Sequence, residues 1–174
     1  MKITRKGFTL VELLIVVAII ASLSAMMMMA SSESIDTANA NAILSNLQSM
    51  KVSAYEMYMT VPEVAALKSI ANNEEAVTPA GGSATTVGAI LGERLGRKKA
   101  MVASDAYNIV GDDSHWYVVY TLQGTDSTRV KNLLASKATS AGLYGATSLA
   151  VSGITTTDYY TVAEATTHIA LMVR

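Results

Sequence analysis

The apolar run from Phe8 to Ala30 is the feature that most constrains how this chain folds. Its sequence is FTLVELLIVVAIIASLSAMMMMA, and the only carboxylate within it is Glu12. About 20 apolar residues are enough for a helix to cross the roughly 30 Å hydrocarbon layer of a membrane. A secretory signal peptide has a shorter apolar core, commonly about 7 to 15 residues. The run therefore predicts a helix that crosses a bilayer or is buried among other helices.

A carboxylate inside such a segment needs a partner. An acidic side chain near the centre of a membrane helix costs about 2.5 to 3.5 kcal/mol on insertion scales, so it is normally kept for a function and paired. Lys2, Arg5 and Lys6 precede Gly7 and the apolar run. These basic residues predict that the amino-terminal side stays in the cytoplasm. The natural cation for Glu12 is a new amino terminus made by cleavage.

The sequence GFTLVELL after a basic leader resembles the type III signal of type IV pilins and the related pseudopilins. The resemblance covers residues 1 to about 60. It implies that a prepilin peptidase cuts between Gly7 and Phe8 and methylates the new amino group. Glu12 is then the fifth residue of the mature chain, where the family places the glutamate that pairs with the terminal amine of a neighbouring subunit. The resemblance also implies an inner-membrane platform protein and a cytoplasmic assembly ATPase as partners.

Beyond the apolar run the helix is predicted to continue as an amphipathic half. No proline or glycine occurs from Phe8 through Val61, and Pro62 then supplies a stop, because a proline disfavours helical conformation in the residue before it. We divide the chain into a leader at 1–7, a membrane or filament-core half at 8–30, an amphipathic half at 31–61 and a globular α+β domain at 62–174. The amphipathic half carries an apolar stripe at spacings of three and four, formed by Ile43, Leu47, Met50, Ala54, Met57, Tyr58 and Val61.

One departure from the family concerns the apolar segment. Many type IV pilins have a glycine and a proline there, and these residues are associated with local unwinding of the helix in filaments. Ala21 and Met29 stand at the corresponding positions counted from Phe8. Proline inside a helix costs about 3 kcal/mol and glycine about 1 kcal/mol relative to alanine. The sequence therefore predicts a helix that stays intact through residues 22–29.

The rest of the chain predicts a sheet joined by short helices. The expected strands lie at 107–110, 116–122, 149–154, 159–163 and 169–173. The expected helical segments lie at 64–70, 86–102 and 126–137, and the expected loop at 72–83. Together these elements predict an α+β fold in which a long amino-terminal helix packs against a small antiparallel sheet of about four strands. Resemblance to the pilins implies the same fold.

Candidate residues for catalysis or metal binding are few. The chain has no cysteine, which excludes a lipoprotein anchor and a disulfide, and its two histidines, His115 and His168, have no neighbours at metal-ligand spacing. A zinc site or a nucleophilic triad is therefore not expected, and neither enzyme activity nor a cofactor is predicted. Asp112 and Asp113 follow Gly111 and form either a tight turn or part of a calcium site, since calcium prefers carboxylate and carbonyl oxygens.

Charge bears on the partners of the chain. Three of the 13 Lys and Arg residues precede Gly7, so 10 remain against 14 Asp and Glu, a balance of −4 that gives no reason to expect nucleic acid as a partner. The basic cluster of Arg94, Arg97, Lys98 and Lys99 either meets an acidic patch of the next subunit or contacts DNA phosphates.

Three functions remain in competition. The first is a major pilin, inserted in the inner membrane as a precursor and then polymerised with copies of itself into an extracellular pilus for adhesion or motility. The second is a pseudopilin of a type II secretion system, which bound calcium near Asp112 would favour. The third is a minor pilin for DNA uptake, which salt-sensitive DNA binding would reveal.

Overall fold

The computed structural model describes residues 7–104, 106–163 and 165–174, except for the side chain of Lys99. The chain divides into two compact units, Met1–Ala38 and Asn39–Arg174. The helices are α1 (Leu10–Thr60), α2 (Pro62–Ala65), α3 (Val87–Leu95) and α4 (Thr128–Ala141), with 3₁₀ turns at Gly96–Met101 and Val151–Gly153. The strands are β1 (Ser69–Ile70), β2 (Ala76–Val77), β3 (Thr85–Thr86), β4 (Tyr107–Asp112), β5 (Trp116–Thr121), β6 (Leu143–Ala146), β7 (Ile154–Tyr159) and β8 (His168–Met172).

Helix α1 confirms the predicted long amino-terminal helix. It ends at Thr60, and Val61 then adopts an extended backbone with φ −122° and ψ 90° before Pro62, as the proline dictates. In the second unit α1 buries one face, formed by Ala40, Ile43, Leu47, Met50, Ser53, Ala54 and Met57. The predicted apolar stripe is therefore the face that enters the core.

The main sheet has six strands in the order β1-β4-β5-β8-β6-β7, and every neighbouring pair is antiparallel. On one face Ile109, Trp116 and Val118 join the core formed with the buried stripe of α1 and with α4. On the other face Val110, Tyr117 and Val119 pack with the segment that carries Leu149 and Val151. The predicted α+β fold is confirmed, with six strands in this sheet where about four were expected.

Two predicted strands were wrong. Segment 149–154 holds the second 3₁₀ turn and only the first residue of β7, and 159–163 contains only the last residue of β7. The chain instead forms β6 directly after α4, because Gly142 ends that helix in the left-handed conformation at φ 69°. Strand β7 has one buried residue followed by five exposed ones, so it has no alternation of apolar and polar residues to reveal it.

The other predicted elements agree in part. The hairpin of β4 and β5 and the strand β8 are confirmed. The expected helix at 86–102 is α3 followed by a 3₁₀ turn, and that at 126–137 is α4, whose N-cap is Ser127. Segment 64–70 contains the end of α2 and then β1, and the expected loop at 72–83 contains β2, which pairs with β3.

Asn73 ties the loop after β1 to the sheet. Its side chain is buried, and its amide nitrogen donates hydrogen bonds to the carbonyl oxygens of Val102, at 3.0 Å, and Tyr107, at 2.7 Å. Its amide oxygen accepts the backbone N–H of Ile109 at 3.0 Å. A Cβ at Gly88 would lie 2.7 Å from the carbonyl oxygen of Asn73, so glycine lets α3 approach this loop closely. One side chain thus satisfies three backbone groups beside β4.

Candidate functional site

The start of α1 holds a reciprocal pair of hydrogen bonds between Thr9 and Glu12. Oε2 of Glu12 accepts the backbone N–H and the hydroxyl of Thr9, both at 2.8 Å, while the hydroxyl oxygen of Thr9 accepts the backbone N–H of Glu12 at 3.2 Å. This is a capping box, in which an N-cap threonine and a glutamate three residues later satisfy each other's free backbone N–H groups. The spacing T-x-x-E before an apolar run is its signature in the sequence, although the cap is not among the predictions above.

The capping box uses one oxygen of the carboxylate. Among the residues that the structure describes, no hydrogen bond reaches Oε1 of Glu12. A carboxylate offers about four lone-pair sites on its two oxygens. Oε1 of Glu12 can therefore accept a donor from another molecule while Oε2 keeps the helix capped.

Gly7 and Phe8 stand before this cap. A Cβ built on Gly7 would meet nothing within 4 Å among the described residues beyond its chain neighbours, so packing against them gives no reason for a glycine at this position. Phe8 is 92% exposed. Both residues are thus open to a protein that recognises this stretch of sequence.

The apolar residues that follow are also unburied. Among the described residues of the first unit, the large apolar side chains are all more than half exposed, from 51% for Ile15 to 92% for Phe8. Among the described residues, α1 is the one helix long and apolar enough to cross a membrane. Exposed apolar patches this large on a protein mark contact with membrane or with other protein.

Comparison with known proteins bears on these same residues. A family model described as the prokaryotic N-terminal methylation motif matches residues 3–28. The chain carries a type IV prepilin-like signal sequence. Neither curated proteins nor solved structures gave a match. The prepilin-like signal implies processing by a prepilin peptidase and assembly into a filament, and together with the apolar helix it fits a precursor anchored in a membrane.

Asp112 is the last residue of β4, and Asp113 begins the turn to β5. Oδ1 of Asp112 accepts the backbone N–H groups of Ser114, at 2.8 Å, and His115, at 2.7 Å, and these bonds lower the pKa of its carboxyl. The carbonyl oxygen of Asp113 accepts a hydrogen bond from Arg174 at 3.0 Å. Among the described residues no three acidic or histidine side chains gather to hold a metal ion. The hairpin turn accounts for both aspartates, and the calcium alternative stays a prediction without support from this geometry.

Part of the basic cluster faces α1. Arg94 forms an ion pair with Glu56 at 3.1 Å and donates a hydrogen bond to Thr60 at 2.6 Å. Lys98 donates a hydrogen bond to Ser49 at 2.9 Å. Two of the four cations therefore attach α3 and the 3₁₀ turn after it to the second half of α1, and Glu56 offsets the charge of Arg94.

His168 lies on β8 next to Thr167. Its Nδ1 is 2.7 Å from the hydroxyl oxygen of Thr167, and burial lowers the pKa of the imidazole. The hydroxyl of Thr167 donates to the carbonyl oxygen of Thr147 at 3.1 Å, so its oxygen can accept a proton that the neutral ring carries on Nδ1. This pair is a structural contact, and His115 lies apart from it in the turn between β4 and β5.

Proposed function

We propose that this chain is the structural subunit of a type IV pilus, a homopolymer, and that it is not an enzyme. The observation that carries the proposal is the exposed apolar half of α1, which bears a single acid next to the prepilin-like signal. A helix with this surface leaves the membrane only if the surface is buried again. Copies of the same helix provide that burial. Each Å² of apolar area removed from water contributes about 25 cal/mol of stabilising free energy.

Glu12 supplies the register of assembly in this proposal. The peptidase cuts after Gly7, and the amine of Phe8 on one subunit then pairs with Glu12 on its neighbour. In a low-dielectric bundle an unpaired charge is strongly unfavourable, because a buried ion keeps its desolvation cost when its partner is missing. The unbonded Oε1 of Glu12 is the acceptor for this amine, so the carboxylate joins two subunits while still capping its own helix.

We propose a major pilin that forms an extracellular fibre for adhesion or motility, exported from the inner membrane by a platform protein and an assembly ATPase. The contacts of the two aspartates favour a major pilin over a calcium-binding pseudopilin. Oδ1 of Asp112 already accepts two backbone N–H groups of the turn, and the carbonyl oxygen of Asp113 already accepts a hydrogen bond from Arg174. The contacts of Arg94 and Lys98 favour a major pilin over a DNA-uptake pilin, because both side chains are already held against α1.

Electron microscopy of fibres sheared from the cell surface, with mass spectrometry of their subunit, tests this proposal. We expect filaments whose subunit starts at a methylated Phe8. A second test replaces Gly7 with a bulky residue such as valine, which should leave the precursor uncut. Because a Cβ at Gly7 meets no described residue within 4 Å beyond its chain neighbours, we expect this change to act on peptidase recognition. A native product that stays an uncut monomer would refute the proposed function.

A further inference from the structure

The four consecutive methionines, Met26 to Met29, are a feature that the proposed function does not explain. Leucine would give an apolar helix of the same kind, with about the same helix propensity and no sulfur. The four side chains are 72%, 77%, 79% and 76% exposed. Met50 and Met57 on the same helix are completely buried. Residues 26–29, here called the methionine band, thus differ from the core methionines in access to solvent.

The place of the band along α1 sets its depth in the membrane. It lies 18 to 21 residues after Phe8, or about 27 to 32 Å along an α-helix at 1.5 Å per residue. The hydrocarbon layer is about 30 Å thick, so the band reaches the far interface if Phe8 starts at the cytoplasmic one. Ser31 and Ser32 follow it at once. Small polar oxidants in the outer aqueous phase therefore reach the thioethers of a subunit that is still in the membrane.

We propose that the methionine band is an oxidation site whose modification prevents a stored subunit from joining the filament. The oxidant is a peroxide. With hydrogen peroxide, the thioether sulfur attacks one oxygen, and an S–O bond forms as the O–O bond breaks. The sulfur is oxidised by two electrons, and the second oxygen leaves as hydroxide and takes the proton of the first, which gives methionine sulfoxide and water. Methionine sulfoxide is polar, whereas methionine is apolar, and the change disrupts methionine-rich contacts.

The consequence for assembly rests on the proposed function. A sulfoxide at the membrane interface stays hydrated, because water and lipid headgroups solvate its oxygen. The same group inside a bundle of apolar helices loses that solvation without gaining a donor. Four adjacent methionines point around the whole circumference of the helix at about 100° per residue, so any neighbouring helix meets at least one of them. The oxidised subunit is therefore excluded, and subunits already in the filament are shielded.

Peptide mass mapping after graded hydrogen peroxide treatment tests the site itself. The full processed chain in detergent micelles and the assembled filament are treated in parallel. In micelles the band should gain oxygen about tenfold faster than Met50 and Met57, as exposure governs methionine oxidation. In filaments this difference should largely disappear. Oxidation of the band no faster than that of Met50 and Met57 in micelles would overturn the inference.

Reassembly of the treated chain tests the consequence. Peroxide should lower filament yield about tenfold, and treatment with methionine sulfoxide reductases of both stereospecificities should restore it. The variant with leucine at all four positions should assemble and resist peroxide. Met59→Leu, which removes another exposed methionine of α1, should remain sensitive. Filaments that form normally from a chain oxidised at the band would overturn this inference and leave the proposed function intact, whereas an untreated chain that never assembles would count against the proposed function.

Discussion

Thr9 and Glu12 hold each other at the first turn of α1, so the glutamate assigned to assembly also caps its own helix. The two roles use different atoms. Oε2 of Glu12 serves the cap, and Oε1 is the oxygen that we assign to the amine of a neighbouring Phe8. Because the roles are separate, substitutions at the two positions can distinguish the cap from the charge.

Glu12→Gln should keep the cap and remove the charge. Glutamine replaces glutamate in capping boxes, so the start of α1 should stay folded. We expect normal membrane insertion and a loss of filaments, measured by cell fractionation and by quantifying sheared fibres. Glu12→Ala, which removes both functions, should lose filaments as well. If Glu12→Gln forms filaments in normal amounts, the charge has no role in assembly.

Thr9→Ala should remove the cap and keep the charge. The loss of an N-cap side chain costs about 1 kcal/mol, so the first turn of α1 should fray. We expect faster amide hydrogen exchange at residues 10–12 in micelles and a partial decrease in filament yield. Thr9→Ser is the matched control, because serine provides the same hydroxyl and should preserve both measurements. Equal exchange in the alanine and serine variants would show that the cap contributes nothing.

Asn73→Ala should destabilise the globular unit. It leaves the carbonyl oxygens of Val102 and Tyr107 and the N–H of Ile109 without this partner, and each buried group left unsatisfied costs about 1 to 3 kcal/mol. We expect the free energy of unfolding to fall by about 2 to 4 kcal/mol in denaturant titrations of the detergent-solubilised full chain. Asn72→Ala, which loses only one contact to the backbone of Glu74, should change it by less than about 1 kcal/mol. Similar losses in the two variants would contradict the role of Asn73.

His168 should make the stability of the globular unit depend on pH. Burial lowers the pKa of the folded imidazole below its unfolded value of about 6.5, so the folded state disfavours the protonated ring. The contribution of the neutral imidazole to the free energy of unfolding is fully present above the unfolded pKa. It is lost as pH falls from there through the folded pKa. Denaturant midpoints measured in mildly acidic buffers should show this decrease, and His168→Gln should flatten it. The decrease should persist in His115→Gln, and a decrease that survives in His168→Gln would assign it to other groups.

The candidate processing and assembly residues come from the sequence. Gly7, Phe8 and Glu12 are proposed from their spacing within the prepilin-like signal, because a short sequence motif can be recognised without knowledge of the fold. The Thr9 cap is equally local, and its T-x-x-E spacing was present but not used. The contacts of Arg94 and Lys98 could not be found this way, since their partners on α1 are 34 to 49 residues away.

The sequence by itself determined the long helix and its division into an apolar half and an amphipathic half. An uninterrupted stretch without proline or glycine, first apolar throughout and then apolar on one face, leaves an α-helix as the conformation that satisfies its backbone and its side chains together. The position of Pro62 determined where that helix ends.

The tertiary structure decided the order of the strands, the existence of β6 and β7, and the use of Asn73 as a bridge. Strand β7 carries five exposed residues and is held by pairing with β6, a contact that no local pattern encodes. Sheet pairing is set by contacts between distant parts of the chain, whereas helical hydrogen bonds join residues four apart. That difference in range is why the helix could be predicted and the edge of the sheet could not.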